Sequence, residues 1–186
     1  MHTTSTAVWY LMRSTGVVSQ VLLTAVMALG IATTNRWSPR STPRFVTAAL
    51  HRSISLLSVV FIGVHVVTSV VDPYAAVGLV AVIVPFVGAG NPFWVGLGAV
   101  SLDLVAALIV SSLLRRHLGY RAWRAIHWVA YLSWPVALAH GLGMGTDAGS
   151  LWFIAVAIAC IATVSSALAW RLSNRHDGKR LEPQVA

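Results

Sequence analysis

The chain has 186 residues, 57% of them hydrophobic and only 10% charged, with a mean hydropathy of +0.76. Charge this sparse and apolar runs this long exclude a soluble domain and indicate a polytopic membrane protein. The net charge of +8 does not point to nucleic acid, because nearly every cation lies in a loop or tail beside an apolar run, as in cytoplasmic loops.

In chain order, the first apolar run is Ala7–Thr34, interrupted by Arg13. No positive residue precedes Arg13, so the run lacks the charged start of a signal peptide and reads as a span. Residues 35–44 are turn-rich and carry Arg36, Arg40 and Arg44. The next run, Phe45–Val71, holds His51 and His65 and is closed by Asp72-Pro73. Tyr74–Gly88 falls short of the ~20 residues a span needs, and Pro85, Gly88 and Gly90 punctuate its end. It reads as a short re-entrant or interfacial helix. Phe93–Leu114 is a full span containing Asp103, followed by Arg115-Arg116-His117. Ala122–Gly141 is a second histidine helix, with Trp128, Trp134 and Pro135 between His127 and His140. Glycines at 141, 143, 145 and 149 form a loop around Asp147 before the last span, Leu151–Leu172. The polar tail from Ser173 to Ala186 is expected to be disordered.

The fold class is therefore all-α: a membrane helix bundle of five full spans plus the one short helix. Residues 1–172 form the membrane domain and 173–186 a short cytoplasmic tail. The clusters around Arg40, Arg115–Arg124 and Arg171–Arg180 share one side if the N-terminus is outside and the C-terminus cytoplasmic, while 72–92 and 142–150 carry no Lys or Arg.

The chemistry is concentrated in four histidines. His51 and His65 are fourteen residues apart, about 21 Å along a helix and about 40° apart in angle, so they share a face. Ser55 and Ser58 leave room on that face for something flat and bulky. His127 and His140 repeat the device in a helix that runs the same way. A lone intramembrane histidine is usually a hydrogen-bonded packing residue, but four matched by depth make two axial-ligand pairs, as two b-type haems require. One detail resists: thirteen residues rotate His140 roughly 140° from His127, so a kink or pitch change at Pro135 is required.

Other polar groups have two readings each. Arg13 either snorkels to the outer interface or stands as a cation beside the outer haem. Arg52, next to His51, and Arg124 either hold inner propionates or anchor the cytoplasmic side. Asp103 needs a partner at mid-span, for which Arg13 is a candidate, and reads either as structural glue or as a proton relay. Trp134 either lies between the macrocycles or packs. Cys160 is a buried small residue.

These residues resemble the ferric reductase-like transmembrane domain, shared by ferric reductases and the membrane part of NADPH oxidases. The resemblance rests on His51-x13-His65 and His127-x12-His140 with one span between, and covers roughly residues 8–172. Leu50-His51-Arg52, Asp72-Pro73-Tyr74 and Leu118-Gly119-Tyr120-Arg121 are similar to small actinobacterial-type members without a dehydrogenase domain. It implies that His51/His127 hold the iron of an inner b-type haem and His65/His140 that of an outer one. Arg13 would lie near the outer haem. Two departures are evident: many members have six spans, and larger members continue into a flavin- and NADPH-binding dehydrogenase.

The function so implied is transmembrane electron transfer by a dihaem b-type cytochrome, the membrane component of an oxidoreductase. The acceptor would be a ferric chelate, oxygen or a partner reductase. With no glycine-rich dinucleotide fingerprint, no flavin or nicotinamide site is expected, and a separate cytoplasmic flavoprotein or ferredoxin-type donor would supply electrons. Membrane lipid is the other partner. The rivals are a quinone-linked cytochrome b subunit, a haem-binding subunit of a methionine sulfoxide repair system, and a haem-free metal or proton transporter or scaffold.

Overall fold

A computed structural model of the protein describes residues 2–34, 43–75, 77–88 and 90–180. Seven helices and no strand occur among them: α1 (His2–Thr34), α2 (Arg44–Val71), α3 (Leu79–Ile83), α4 (Pro92–Leu113), α5 (Arg115–His127), α6 (Ala130–Met144) and α7 (Leu151–Arg180). Arg36 and Arg40, which bear on the orientation, lie outside the described residues, as does the tail beyond Arg180.

Four stretches are long and apolar enough to cross a membrane: Thr6–Thr34, Phe45–Val71, Pro92–Leu113 and Leu151–Asn174. Within them, several hydroxyls fold back on their own helix. Thr15 donates to the Leu11 carbonyl, Thr24 to Gln20, Ser58 to Ile54 and Thr68 to Val64. A polar group among lipid tails needs an internal partner, and the carbonyl one turn back is the nearest. Proline sets the ends. Pro43 precedes α2, Pro92 sits in the first turn of α4, and Asp72-Pro73 stops α2, with the Asp72 carboxylate accepting the Tyr74 N–H at 2.8 Å.

The expected fourth span, Ala122–Gly141, is not one helix. It is divided between the end of α5 and α6, which continues through the first two loop glycines to Met144. At the join, Trp128 (φ −64°, ψ −21°) and Val129 (φ −58°, ψ −23°) have 3₁₀ dihedrals. The N–H groups of Tyr131 and Leu132 reach back three residues, to Trp128 and Val129. The short helix expected over Tyr74–Gly88 is confined to Leu79–Ile83. Phe86 then takes a left-handed φ of 65°, which turns the chain so that its ring covers Gly96 and stacks on Phe93. The tail expected to be disordered continues α7 as helix to Arg180.

The buried core joins Met27 and Ile31 of α1, Trp134 and Leu138 of α6, and Ala157, Cys160 and Val164 of α7. Trp134 donates to the Thr24 hydroxyl at 2.9 Å and ties α6 to α1. The closest helix pairs are α1 with α2 and α4 with α6. The backbone of α2 packs closely on α1, with no comparable approach to α4 or α6. Between α2 and α4 lies an apolar cleft of about 280 Å³, lined by Val59, Ile62 and Val66 against Leu102, Val105 and Ile109.

Candidate functional site

The bundle brings His51, His65, His127 and His140 together in two pairs. His51 of α2 faces His127 of α5, with ring centroids 6.3 Å apart and planes at 71°. His65 of α2 faces His140 of α6 at 6.3 Å and 73°. Both pairs bridge the side of α2 that keeps its backbone away from α5 and α6. They are separated along α2 by fourteen residues, about 21 Å of helix.

Three of the rings are oriented by backbone carbonyls on a neighbouring helix. His51 Nδ1 is 3.1 Å from the Val26 carbonyl and His65 Nδ1 is 2.9 Å from that of Met12, both on α1. His140 Nδ1 is 2.8 Å from the carbonyl of Trp94 on α4. A carbonyl only accepts, so each Nδ1 carries the proton and Nε2 keeps its lone pair. His127 differs: its Nδ1 is buried and has no partner among the described residues. Its ring instead stacks on Trp123, one turn earlier, with centroids at 4.9 Å and planes at 28°. The Arg115 guanidinium lies 4.3 Å over the other aromatic partner, Trp123.

Imidazole–metal bonds of about 2.0–2.1 Å, and about 1.15 Å from ring nitrogen to ring centre, put two rings on opposite faces of one metal at about 6.3–6.5 Å. Both pairs have that separation. Each level offers two imidazoles and nothing more; among the described residues no cluster of three or more His, Cys, Asp or Glu could hold a bare metal ion. Two axial nitrogens fit a metal whose equatorial positions come with it, as in haem.

The other expected site residues are placed as follows. Arg13 pairs with Asp147, not with Asp103, and lies 4.0 Å over the Trp9 ring. Asp103 is exposed on α4 and makes no ion pair among the described residues. The register explains this: Met12 holds His65 at the same level as His140, and the α6–α7 loop carrying Asp147 starts five residues beyond His140. Arg52 is exposed beside His51. Trp134 belongs to the α1–α6–α7 core. Arg171, one of the cations that bear on the orientation, is 5% exposed, bonded to the Tyr131 hydroxyl and 4.8 Å over Trp128. It therefore clamps the 3₁₀ join. The Trp123–His127 spacing of four residues was a legible signal of contact; nothing local marks Arg171 as buried.

A family profile for the ferric reductase like transmembrane component matches residues 15–138. The chain belongs to that family. The match runs from α1 into α6 and takes in His51, His65 and His127, with His140 two residues beyond it. No curated protein and no solved structure gives a match. Membership of the ferric reductase-like family, with four apolar candidate spans, makes this a multi-pass membrane protein of transmembrane electron transfer.

Proposed function

We propose that the protein is a dihaem b-type cytochrome that passes electrons from a cytoplasmic donor to an extracytoplasmic acceptor. The observation that carries this reading is the pair of matched histidine pairs, each at a spacing suited to one metal and stacked along the bundle. Haem held by His51 and His127 at one level and by His65 and His140 at the other would supply one-electron iron chemistry. The protein's part is to fix the four imidazoles, to exclude water from the α2–α6 interface and to set depth. Trp134 holds α6 to α1 between the two levels. Arg52 suits an inner propionate. Arg13, beside the carbonyl that holds His65 and paired with Asp147, suits the outer haem.

In this reading the end of α5 and α6 together form a fifth crossing, from Tyr120 to Met144, and the N-terminus is outside. The cytoplasmic end then carries Arg115, Arg116, Arg121 and Arg124 close to His127. Such a basic surface favours an acidic flavoprotein or ferredoxin-type donor, steered by charge. A ferric chelate, oxygen or a partner reductase is the acceptor.

Haem analysis of the purified protein tests the proposal. Two haems per chain are expected by pyridine haemochrome, with low-spin spectra. His51→Ala and His127→Ala should each remove one and the same haem, and His65→Ala and His140→Ala the other. Folded protein without haem would overturn the reading. So would a result in which His51→Ala and His140→Ala affect the same haem.

A further inference from the structure

The carbonyls that orient His51, His65 and His140 share a feature that the histidines themselves do not explain. The residue four positions after each is glycine: Val26 and Gly30, Met12 and Gly16, Trp94 and Gly98. In a helix the Cα–Cβ bond tilts toward the N-terminus, so a side chain covers the turn before its own Cα. The side chain at i+4 therefore stands over the carbonyl at i. A ring arriving from another helix approaches that carbonyl most freely where this Cβ is missing.

The space at each glycine is used accordingly. A Cβ on Gly98 would lie 2.7 Å from Cε1 of His140, one on Gly16 3.0 Å from Cε1 of His65, and one on Gly30 3.3 Å from Cε1 of His51. By contrast, a Cβ on Gly141, beside His140 in sequence, would meet nothing within 4 Å. Gly16 and Gly30 are fourteen residues apart on α1, as His65 and His51 are on the antiparallel α2. Counting thirteen residues on from Gly98, the separation of His140 and His127, arrives at Ser111, which carries a side chain. His127 is the ring whose Nδ1 has no partner among the described residues.

Resting on the dihaem reading, we propose that Gly16, Gly30 and Gly98 are positioning residues for the haem ligands. Each bares the helix carbonyl one turn before it, so that a histidine binds there through Nδ1–H and presents Nε2 to iron. The outer haem then has two seated ligands. The inner haem has one, with His127 set by stacking on Trp123. A hydrogen bond from the outer nitrogen of a ligating imidazole raises its basicity and fixes its plane. Loss of a seat should therefore raise the midpoint potential of the haem concerned and alter its low-spin EPR signal.

The test is an alanine series read by haem count, EPR and redox titration on monodisperse protein. Gly98→Ala should shift or abolish the outer haem's signal and leave the inner one unchanged. Gly16→Ala should do the same to a smaller degree. Gly30→Ala, with the least overlap, should raise the inner potential alone, and Gly141→Ala should change nothing. Unaltered potentials and EPR signals in folded Gly98→Ala and Gly16→Ala would overturn the proposal, as would a response of the wrong haem. If none of the three folds while Gly141→Ala does, the glycines serve helix packing and the positioning role is lost. Wild-type protein devoid of haem would instead refute the dihaem reading on which this rests.

Discussion

An imidazole among lipid tails has two nitrogens to satisfy, and an ion there is costly. In this protein three of the four solve half the problem with a backbone carbonyl that already accepts one helical bond and has a second lone pair to offer. Two arginines are handled as sparingly. Arg171 lies against Tyr131 and Trp128, and Arg13 is joined to Asp147 and covered by Trp9. The Arg13–Asp147 pair is partly exposed, at 22% and 24% for the two side chains, so its net worth is about 1 kcal/mol or less. Asp147→Asn should lower the melting temperature in detergent by only a few degrees and leave haem content unchanged. Loss of a haem in this variant would show that the pair holds the outer site together rather than merely tethering the α6–α7 loop to α1.

At the level of the helix, the interest lies in the join between α5 and α6. A regular α-helix would leave His140 roughly 140° out of phase with His127. A kink or pitch change at Pro135 is the remedy the sequence suggests, and α6 continues as helix through that proline. The pitch changes earlier, at residues 128–132, where the hydrogen bonds span three residues. The four steps from 128 to 132, at about 120° instead of about 100° each, recover about 80° of the deficit. Arg171 on α7 lies against Trp128 and Tyr131 and so holds this tightened stretch. The join makes a directional prediction. Inserting one alanine between Val129 and Ala130 should rotate His140 by about 100° relative to His127 and cost one haem, whereas Pro135→Ala should retain both. Equal haem loss from the two changes, measured by haemochrome, would return the phase correction to the proline.

For the whole molecule, the arrangement is a core of α1, α6 and α7, with α2 held on α1 and α4 on α6. The histidines therefore come from a helix on the periphery and from the broken α5–α6 element, and face each other across an interface where backbones stay apart. The cations of α5 and Arg171 lie toward the His51/His127 level, and Arg13 and Asp147 toward the His65/His140 level. In the proposed orientation, which the positive-inside bias favours, the first of these is the cytoplasmic side. A reporter fused after Ala186 should accordingly behave as cytoplasmic, and one inserted at residues 74–78 as external. The reverse pattern would exchange the inner and outer labels while leaving the ligand pairs intact.

Much of this was legible in the sequence because it depends on spacing alone. Runs of apolar residues announce α1, α2, α4 and α7, and two histidines fourteen residues apart share a helix face whatever surrounds them. Depth follows from direction, so His51 could be matched with His127 and His65 with His140 before any contact was known. Other features depend on what a neighbouring helix does, and no local pattern encodes that. Tyr74–Gly88 has the composition of a helix, yet among its described residues the helix is confined to Leu79–Ile83, and beyond it Phe86 turns the chain onto Gly96. Arg13 found Asp147 rather than Asp103 because helix register, not charge, sets which ionised groups share a level. The glycines at 16, 30 and 98 look in sequence like the small residues of any membrane helix. Only the packing of α1 on α2 and of α4 on α6 brings a histidine ring over each, since the opening left by a missing Cβ is defined by the side chain that enters it.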